Sequence, residues 1–227
     1  MAVELIAPVI VGGIFTGRIG MLPGESRGSA IAKDSRSGPC LVGLDGIEGD
    51  EHADPRAHGG DEKAVHLFPV ENHEALARAF PEARHLMPGG LGENLSTRGI
   101  TEDIACIGDI FALGTARLQI GQPRTPCWKI DARCGVEGVA AHVAEHGIAG
   151  WYFRVLTEGE CTAGDELIHL ERPAGAISLA RFNRGLRAQR PALQALDLLA
   201  SAPGLAPEWV RKIRDRMDWL QNHGDSP

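Results

Sequence analysis

Aromatic side chains are scarce in this chain, 5% of 227 residues, and no apolar run approaches the roughly 18 residues needed to cross a bilayer. A membrane-spanning helix is therefore not expected. The opening residues MAVELIAPVI lack a basic stretch and a cleavage site of the secretory kind, so a cytoplasmic protein with no membrane partner is the expectation. Cysteine is also short: Cys40, Cys106, Cys127, Cys134 and Cys161 form an odd set without a C-x-x-C pair. That argues against a disulfide framework and against a tetrathiolate zinc site, and leaves reduced thiols as the natural reading.

What the chain does have is glycine, proline and aliphatic residues. With 29 glycines and 14 prolines, it reads as many tight turns between short strands rather than as a helical bundle. Its length fits one domain with a small appendage. Strands are expected over Val3 to Val11, ended by Gly12 and Gly13, and over Ala64 to Phe68, Ile110 to Leu113, Ala116 to Ile120, Trp151 to Leu156 and Glu166 to Leu170, as a meander or barrel. Two helices interrupt them, at Val70 to Ala79 and Val136 to His146. Gly108-Asp109 and Gly164-Asp165 each precede a strand and read as turns that organise the sheet.

Beyond Pro173 the pattern turns helical. Ser178 is placed to cap a helix running to about Gln189, Pro191 opens a second, and Pro207 with Glu208 opens a third whose Trp209, Ile213, Met217 and Leu220 recur at helical spacing. The division is thus a mainly β unit over 1–172 and a three-helix unit over 173–227. Net charge is −7 but uneven: from Arg172 onward nine Lys or Arg face five Asp or Glu, while the preceding residues carry 14 against 25. A basic tail suits an acidic partner or a solvated helix face; without interleaved aromatics and on an acidic body, a nucleic-acid partner is not expected.

The stretch QPRTPCWK, Gln122 to Lys129, is the most informative. Pro123 and Pro126 each fix a φ angle and remove a backbone donor, so the stretch is expected to be a stiff loop. Cys127 follows Pro126 directly, with Arg124 and Lys129 nearby, and positive charge favours the thiolate that attacks electrophiles or binds soft metals. A buried packing cysteine is the plainer alternative. Two further clusters lie in turns. In EGDEHADPRAHGGDEK, Glu48 to Lys63, Gly59 and Gly60 allow backbone approach to a ligand, while His58 and Lys63 supply a titratable group and a donor; the spacing of His52, Asp54 and His58 matches no familiar metal-ligand pattern. PGGLGEN, Pro88 to Asn94, is a glycine-rich turn ending in a carboxylate and an amide, suited to a heterocycle or a phosphate, or simply a loop.

Taken in order, EGDEHADPRAHGGDEKAVHLFP, GGLGENLSTRGIT, IGDIFALGTARLQIGQPRTPCWK, GWYFRVLTEG and AGDELIHLERP resemble the MOSC domain family, and more narrowly its YiiM-like group with a C-terminal three-helix extension. The likeness covers nearly the whole chain. It implies a MOSC-type β-barrel with a few helices plus a small three-helix domain, a cytoplasmic homodimer, and binding of the molybdenum cofactor, with Cys127 at the position of the metal-ligating cysteine. A thiolate is a sensible ligand for a soft, sulfur-rich centre. Arg124, Lys129 and Lys63 would meet the cofactor's phosphate and pterin edge, helped by backbone near Gly59, Gly60 and Gly92 and by the Glu93 and Asn94 side chains.

The resemblance also implies a reaction: removal of oxygen from N-hydroxylated compounds such as hydroxylaminopurines or amidoximes, with an external reductase as electron donor. His58 and His66 are the acid candidates by titration range, and each has a structural alternative as a hydrogen-bonded barrel residue. Relatives often read YPxEHY where this chain has FPVENH, so a proton relay through Phe68 and Asn72 loses its phenol and imidazole. Glu71 and His73 leave room for a rearranged relay, the alternative being that Glu71 serves only the helix N-terminus. A carrier of cofactor or sulfur, using Cys127 without turnover, is the alternative function.

Overall fold

Gly12 and Gly13, expected to end the first strand, lie inside it. In the computed structural model, which describes residues 5–54 and 59–223, strand β1 runs Val9–Thr16. A Cβ on Gly13 would sit 2.5 Å from the Phe15 ring, and the pairing register shifts between Val11 and Gly13. The glycines therefore let a β-bulge form without breaking the strand.

The remaining elements follow as β2 Gly20–Met21, β3 Gly28–Ser29, β4 Asp34–Ser35, β5 Cys40–Gly43, β6 Gly46–Ile47, a 3₁₀ turn Asp61–Lys63, β7 Val65–Leu67, α1 Val70–Ala79, β8 Leu95–Thr97, β9 Ile110–Leu113 and β10 Ala116–Pro123. After them come α2 Lys129–Cys134, α3 Val139–His146, β11 Trp151–Thr157, β12 Gly159–Cys161, β13 Glu166–Glu171, α4 Leu179–Arg187, α5 Leu193–Ala200 and α6 Pro207–His223. Seven strands in the order β13-β9-β10-β11-β7-β8-β1 close into a barrel because β1 pairs back onto β13. The pairs are antiparallel except β7 with β8, which run parallel at Leu67 and Leu95. The chain is thus mainly β with helices, as the sequence suggests.

Alternation decides which face is core. On β11, Trp151, Phe153 and Val155 point inward to Val65, Leu67, Phe111, Leu118 and Ile120. Each such side chain contributes about 1.5–3 kcal/mol by leaving water. The loop expected over Gln122 to Lys129 is shorter: Gln122 and Pro123 finish β10, and Lys129 begins α2. Pro123 is tolerated there because β9 pairs only as far as Gln119, so a missing N–H at that edge breaks no ladder. A second apolar cluster, with Phe68, Leu76, Leu91, Ile130 and Val143, lies under α1, α2 and α3.

Ser178 caps α4 as expected, its hydroxyl accepting from Arg181 N at 3.3 Å. The second of the C-terminal helices begins at Leu193, behind Ala192, two residues past Pro191. Phe182, Leu196, Leu199 and Ile213 from these helices belong to the same continuous core as the barrel side chains. No helix among the described residues is long and apolar enough to cross a membrane.

Candidate active site

His66 on β7, Tyr152 on β11 and Gln122 on β10 are register partners across three adjacent strands. Their neighbours Leu67, Trp151 and Phe153 fill the barrel, so by the two-residue period this row faces outward. Loops around 29–33, 51–53 and 124–129 fold over it and line a cleft of about 520 Å³ counting its open mouth. Cys127 lines that cleft, and with it Arg124, Lys129, Lys63, His66, Gly92 and Asn94. Residues far apart in the chain are brought together. Pro126 and a bond from Ile130 N to Cys127 O, 3.0 Å, hold the cysteine at the head of α2.

Arg124 is 8% exposed, and its Nη2 donates to Leu91 O at 2.8 Å. Its Nη1 is buried and meets no acceptor in hydrogen-bonding geometry among the described residues. An unpaired buried guanidinium nitrogen is costly, and an anionic oxygen in the cleft would satisfy it. Lys33 adds a further cation, buried against Asp50. Burial pushes the Lys33 pKa down, partly offset by the Asp50 charge. Asp50 also accepts from Gly17 N and from Asn94 Nδ2, each at 2.8 Å, so one carboxylate ties three loops.

Asn94 spends its amide on the scaffold: Nδ2 donates to Phe15 O and Asp50, and Oδ1 accepts from His66 N at 3.0 Å. Glu93 is fully buried and does not line the cleft. Its oxygens accept from Gly89 N at 2.6 Å, Leu91 N at 3.0 Å and His73 Nε2 at 2.7 Å, so it shapes the glycine turn instead of facing a ligand. Burial favours its neutral form, but the His73 bond and charge outweigh that and leave its pKa lowered. Gly92, at φ 88°, turns the backbone past Ile31, where a Cβ would come within 3.1 Å. Gly60 forms the entry to the 3₁₀ turn, outside the cleft lining, as is Gly59. His58 lies outside the described residues.

His66 is 2% exposed, with Nε2 3.2 Å from Ala149 O. Burial, followed by the Arg124 charge, pushes its pKa down to about 3. It is a neutral imidazole at pH 7, and so lacks the charged form that its titration range suggested for an acid.

A model of the MOSC domain matches residues 54–168. Protein YiiM of Escherichia coli strain K12 is 33% identical over 213 residues, covering 89% of this chain and 90% of that protein. The chain belongs to the MOSC family. Its fold also matches the crystal structure of YiiM from Geobacillus stearothermophilus, with a TM-score of 0.78 and 30% identity over 92% of this chain and all of that one. A protein named "Reductase" from Gibberella moniliformis is 37% identical over 191 residues, which is 82% of this chain and 34% of that larger protein.

In this MOSC chain the FPVENH segment does not reach the cleft. Phe68 is fully buried beneath His73, Asn72 Nδ2 donates to Glu102 at 2.9 Å, and Glu71 accepts from Gly99 N at 2.8 Å. The phenol in the site comes instead from Tyr152, the sole tyrosine of the chain. Its ring lies 5.0 Å from that of His66, and burial raises its pKa, partly offset by the adjacent Arg124 charge. Sequence reasoning missed Tyr152, Lys33 and Asp50. Tyr152 carried a signal, one polar-tipped residue between two inward aromatics on a strand; Lys33 and Asp50 carried none.

Proposed function

We propose that this MOSC protein binds the molybdenum cofactor in the cleft and reduces N-hydroxylated compounds, acting as a cytoplasmic homodimer supplied with electrons by a separate reductase. The observation that carries the reading is the unpaired, buried Nη1 of Arg124 in the same cleft as the Cys127 thiol: one soft donor beside one unmet demand for an anion. The donor set fits such a group. Among the described residues no three His, Cys, Asp or Glu side chains gather to hold a bare metal ion, so a metal at Cys127 would take its other ligands from the group that brings it. The relative named as a reductase supports the same class of chemistry.

When bound, the cofactor supplies two-electron redox chemistry at a soft metal. The net change is R–NH–OH plus two electrons and two protons to R–NH2 and water. Cys127 would hold the metal through Sγ. Arg124 would meet the cofactor's anionic oxygens, Lys33 stays paired to Asp50 beneath the site, and Lys63 and Lys129 line the rim. Tyr152 keeps its proton at neutral pH and serves as the hydrogen-bond donor at the leaving oxygen. His66, uncharged, orients Tyr152 by ring contact.

Molybdenum and pterin content of protein made in a cofactor-competent cell tests the reading, with Cys127→Ser beside wild type and hydroxylaminopurine reduction assayed with a chemical reductant. Wild type is expected to carry molybdenum and turn over, and Cys127→Ser to lose at least about tenfold in metal. Bound cofactor without turnover would replace the enzyme with a carrier. Absence of molybdenum from both proteins would overturn both.

A further inference from the structure

On the other side of the Cys127 loop lies a second cavity, about 730 Å³ counting its open mouth. Lys63, Cys127 and Tyr152 line both cavities, so whatever Cys127 holds is reached from either side. The chemistry of the two differs. The first is walled by Arg124, with its unpaired Nη1, and suits an anion; the second is walled by Thr125 and Pro126 and by the start of α6, with Glu208, Trp209 and Lys212.

That first turn is anchored to the barrel. Ala206 N donates to Gly121 O at 2.9 Å, Arg154 Nη2 donates to Gly204 O at 2.9 Å, and Trp209 Nε1 donates to Gln122 Oε1 at 2.8 Å. The Trp209 ring also meets Phe182 edge-on at 5.9 Å. An indole held by its nitrogen and by one edge presents a preformed surface at little entropic cost; the Lys212 ammonium lies 5.3 Å from its ring centroid, and a flat ligand stacking there takes the place of that exposed side chain. Beside it, Glu208 stays ionised: the hydrogen bond from Lys212 Nζ to Oε1, 2.7 Å, lowers its pKa, and its Oε2, 3.8 Å from Lys63 Nζ, keeps room for a further donor. A rigid indole next to a carboxylate acceptor suits a flat ring that carries N–H donors.

We propose that this second cavity is the substrate pocket, taking planar nitrogen heterocycles with the ring on Trp209 and an N–H on the Glu208 carboxylate. The inference rests on the preceding reading for the reaction, and it gives the C-terminal helices a function as one wall of the site. The substrate would enter from the α6 side while the cofactor occupies the cationic side, the two meeting at Cys127 and Tyr152.

The test is equilibrium binding of adenine, the product of hydroxylaminopurine reduction, to the cofactor-loaded full chain, or to the chain as isolated if it carries no cofactor. Wild type, Trp209→Leu, Trp209→Phe, Glu208→Gln and Trp219→Leu are compared, with molybdenum content and thermal midpoint alongside. Trp209→Leu is expected to weaken adenine about tenfold, and Trp209→Phe, which keeps a ring, much less. Trp219→Leu, on an exposed part of α6, leaves binding unchanged. In turnover, Trp209→Leu raises KM for hydroxylaminopurine and leaves KM for acetamidoxime, which has no ring, unchanged. Equal adenine affinity in wild type and both Trp209 variants would overturn the pocket, as would loss of molybdenum from folded Trp209→Phe. If adenine binding follows Trp209 but no N-hydroxylated compound is reduced, the proposed reaction fails and the pocket stands; if hydroxylaminopurine is reduced with the same KM in Trp209→Leu, the reverse holds.

Discussion

At the scale of single residues, the protonation of His66 has a consequence for stability. Its ordinary value near 6.5 applies to the unfolded chain, and burial drops it to about 3 in the fold. Between those values the unfolded state holds a proton that the folded state does not, so stability falls as pH falls through that window, by about 1.4 kcal/mol per pH unit. Urea unfolding of wild type and His66→Asn from pH 7 to pH 4 checks this. The wild type should lose stability more steeply, and the difference between the two curves cancels the carboxylates, Glu93 among them, that both proteins share. Parallel curves would mean that His66 takes up its proton in the fold as readily as in the unfolded chain.

At the scale of elements, the turn before β9 ties the barrel to the helices. Gly108 has φ 86°, and a Cβ there would lie 2.3 Å from Pro203 O, so the glycine is required by both conformation and contact. Asp109 beside it is fully buried, accepts from Cys106 N at 2.9 Å, and takes Arg172 Nε and Nη2 at 2.8 and 2.6 Å. Arg172 closes the β13 side of the junction with the C-terminal helices. Removing the arginine leaves the buried carboxylate with Cys106 N and, at 3.4 Å, His169 Nε2, without its full cation, so Arg172→Met is expected to cost about 3 kcal/mol in chemical denaturation. Arg172→Met with Asp109→Asn should recover part of that loss, because the stranded charge is gone. Strict additivity of the two changes would show that the pair is not coupled.

At the scale of the whole molecule, the shared core decides how the chain unfolds. Residues 173–227 read as a separate helical unit, yet Phe182, Leu196, Leu199 and Ile213 are continuous with Phe111, Leu118 and Phe153 of the barrel. We expect a single calorimetric transition for the full chain, and a 1–172 fragment that lacks cooperative unfolding because this apolar face would meet water. Two resolved transitions, or a cooperative 1–172 fragment, would make the helices an independently folding domain.

What the sequence determined by itself is what depends on near neighbours. Strand β9 and helix α1 have the bounds that their periodicity predicts, β11 and β13 run one residue further, and Ser178 caps α4, because alternation, helical spacing and capping are local signals. Most of the expected cleft residues, Cys127, Arg124, Lys129, Lys63, His66, Gly92 and Asn94, also meet in one place. The tertiary structure alone decided the rest. It ran β1 through Gly12 and Gly13, put Tyr152 beside His66, buried Lys33 on Asp50, turned Glu93 onto His73 and brought Trp209 to the far side of Cys127. Each of these follows from cross-strand register or from burial between segments dozens of residues apart. Register and dielectric are properties of the closed barrel, and neither is written in the spacing of any one segment.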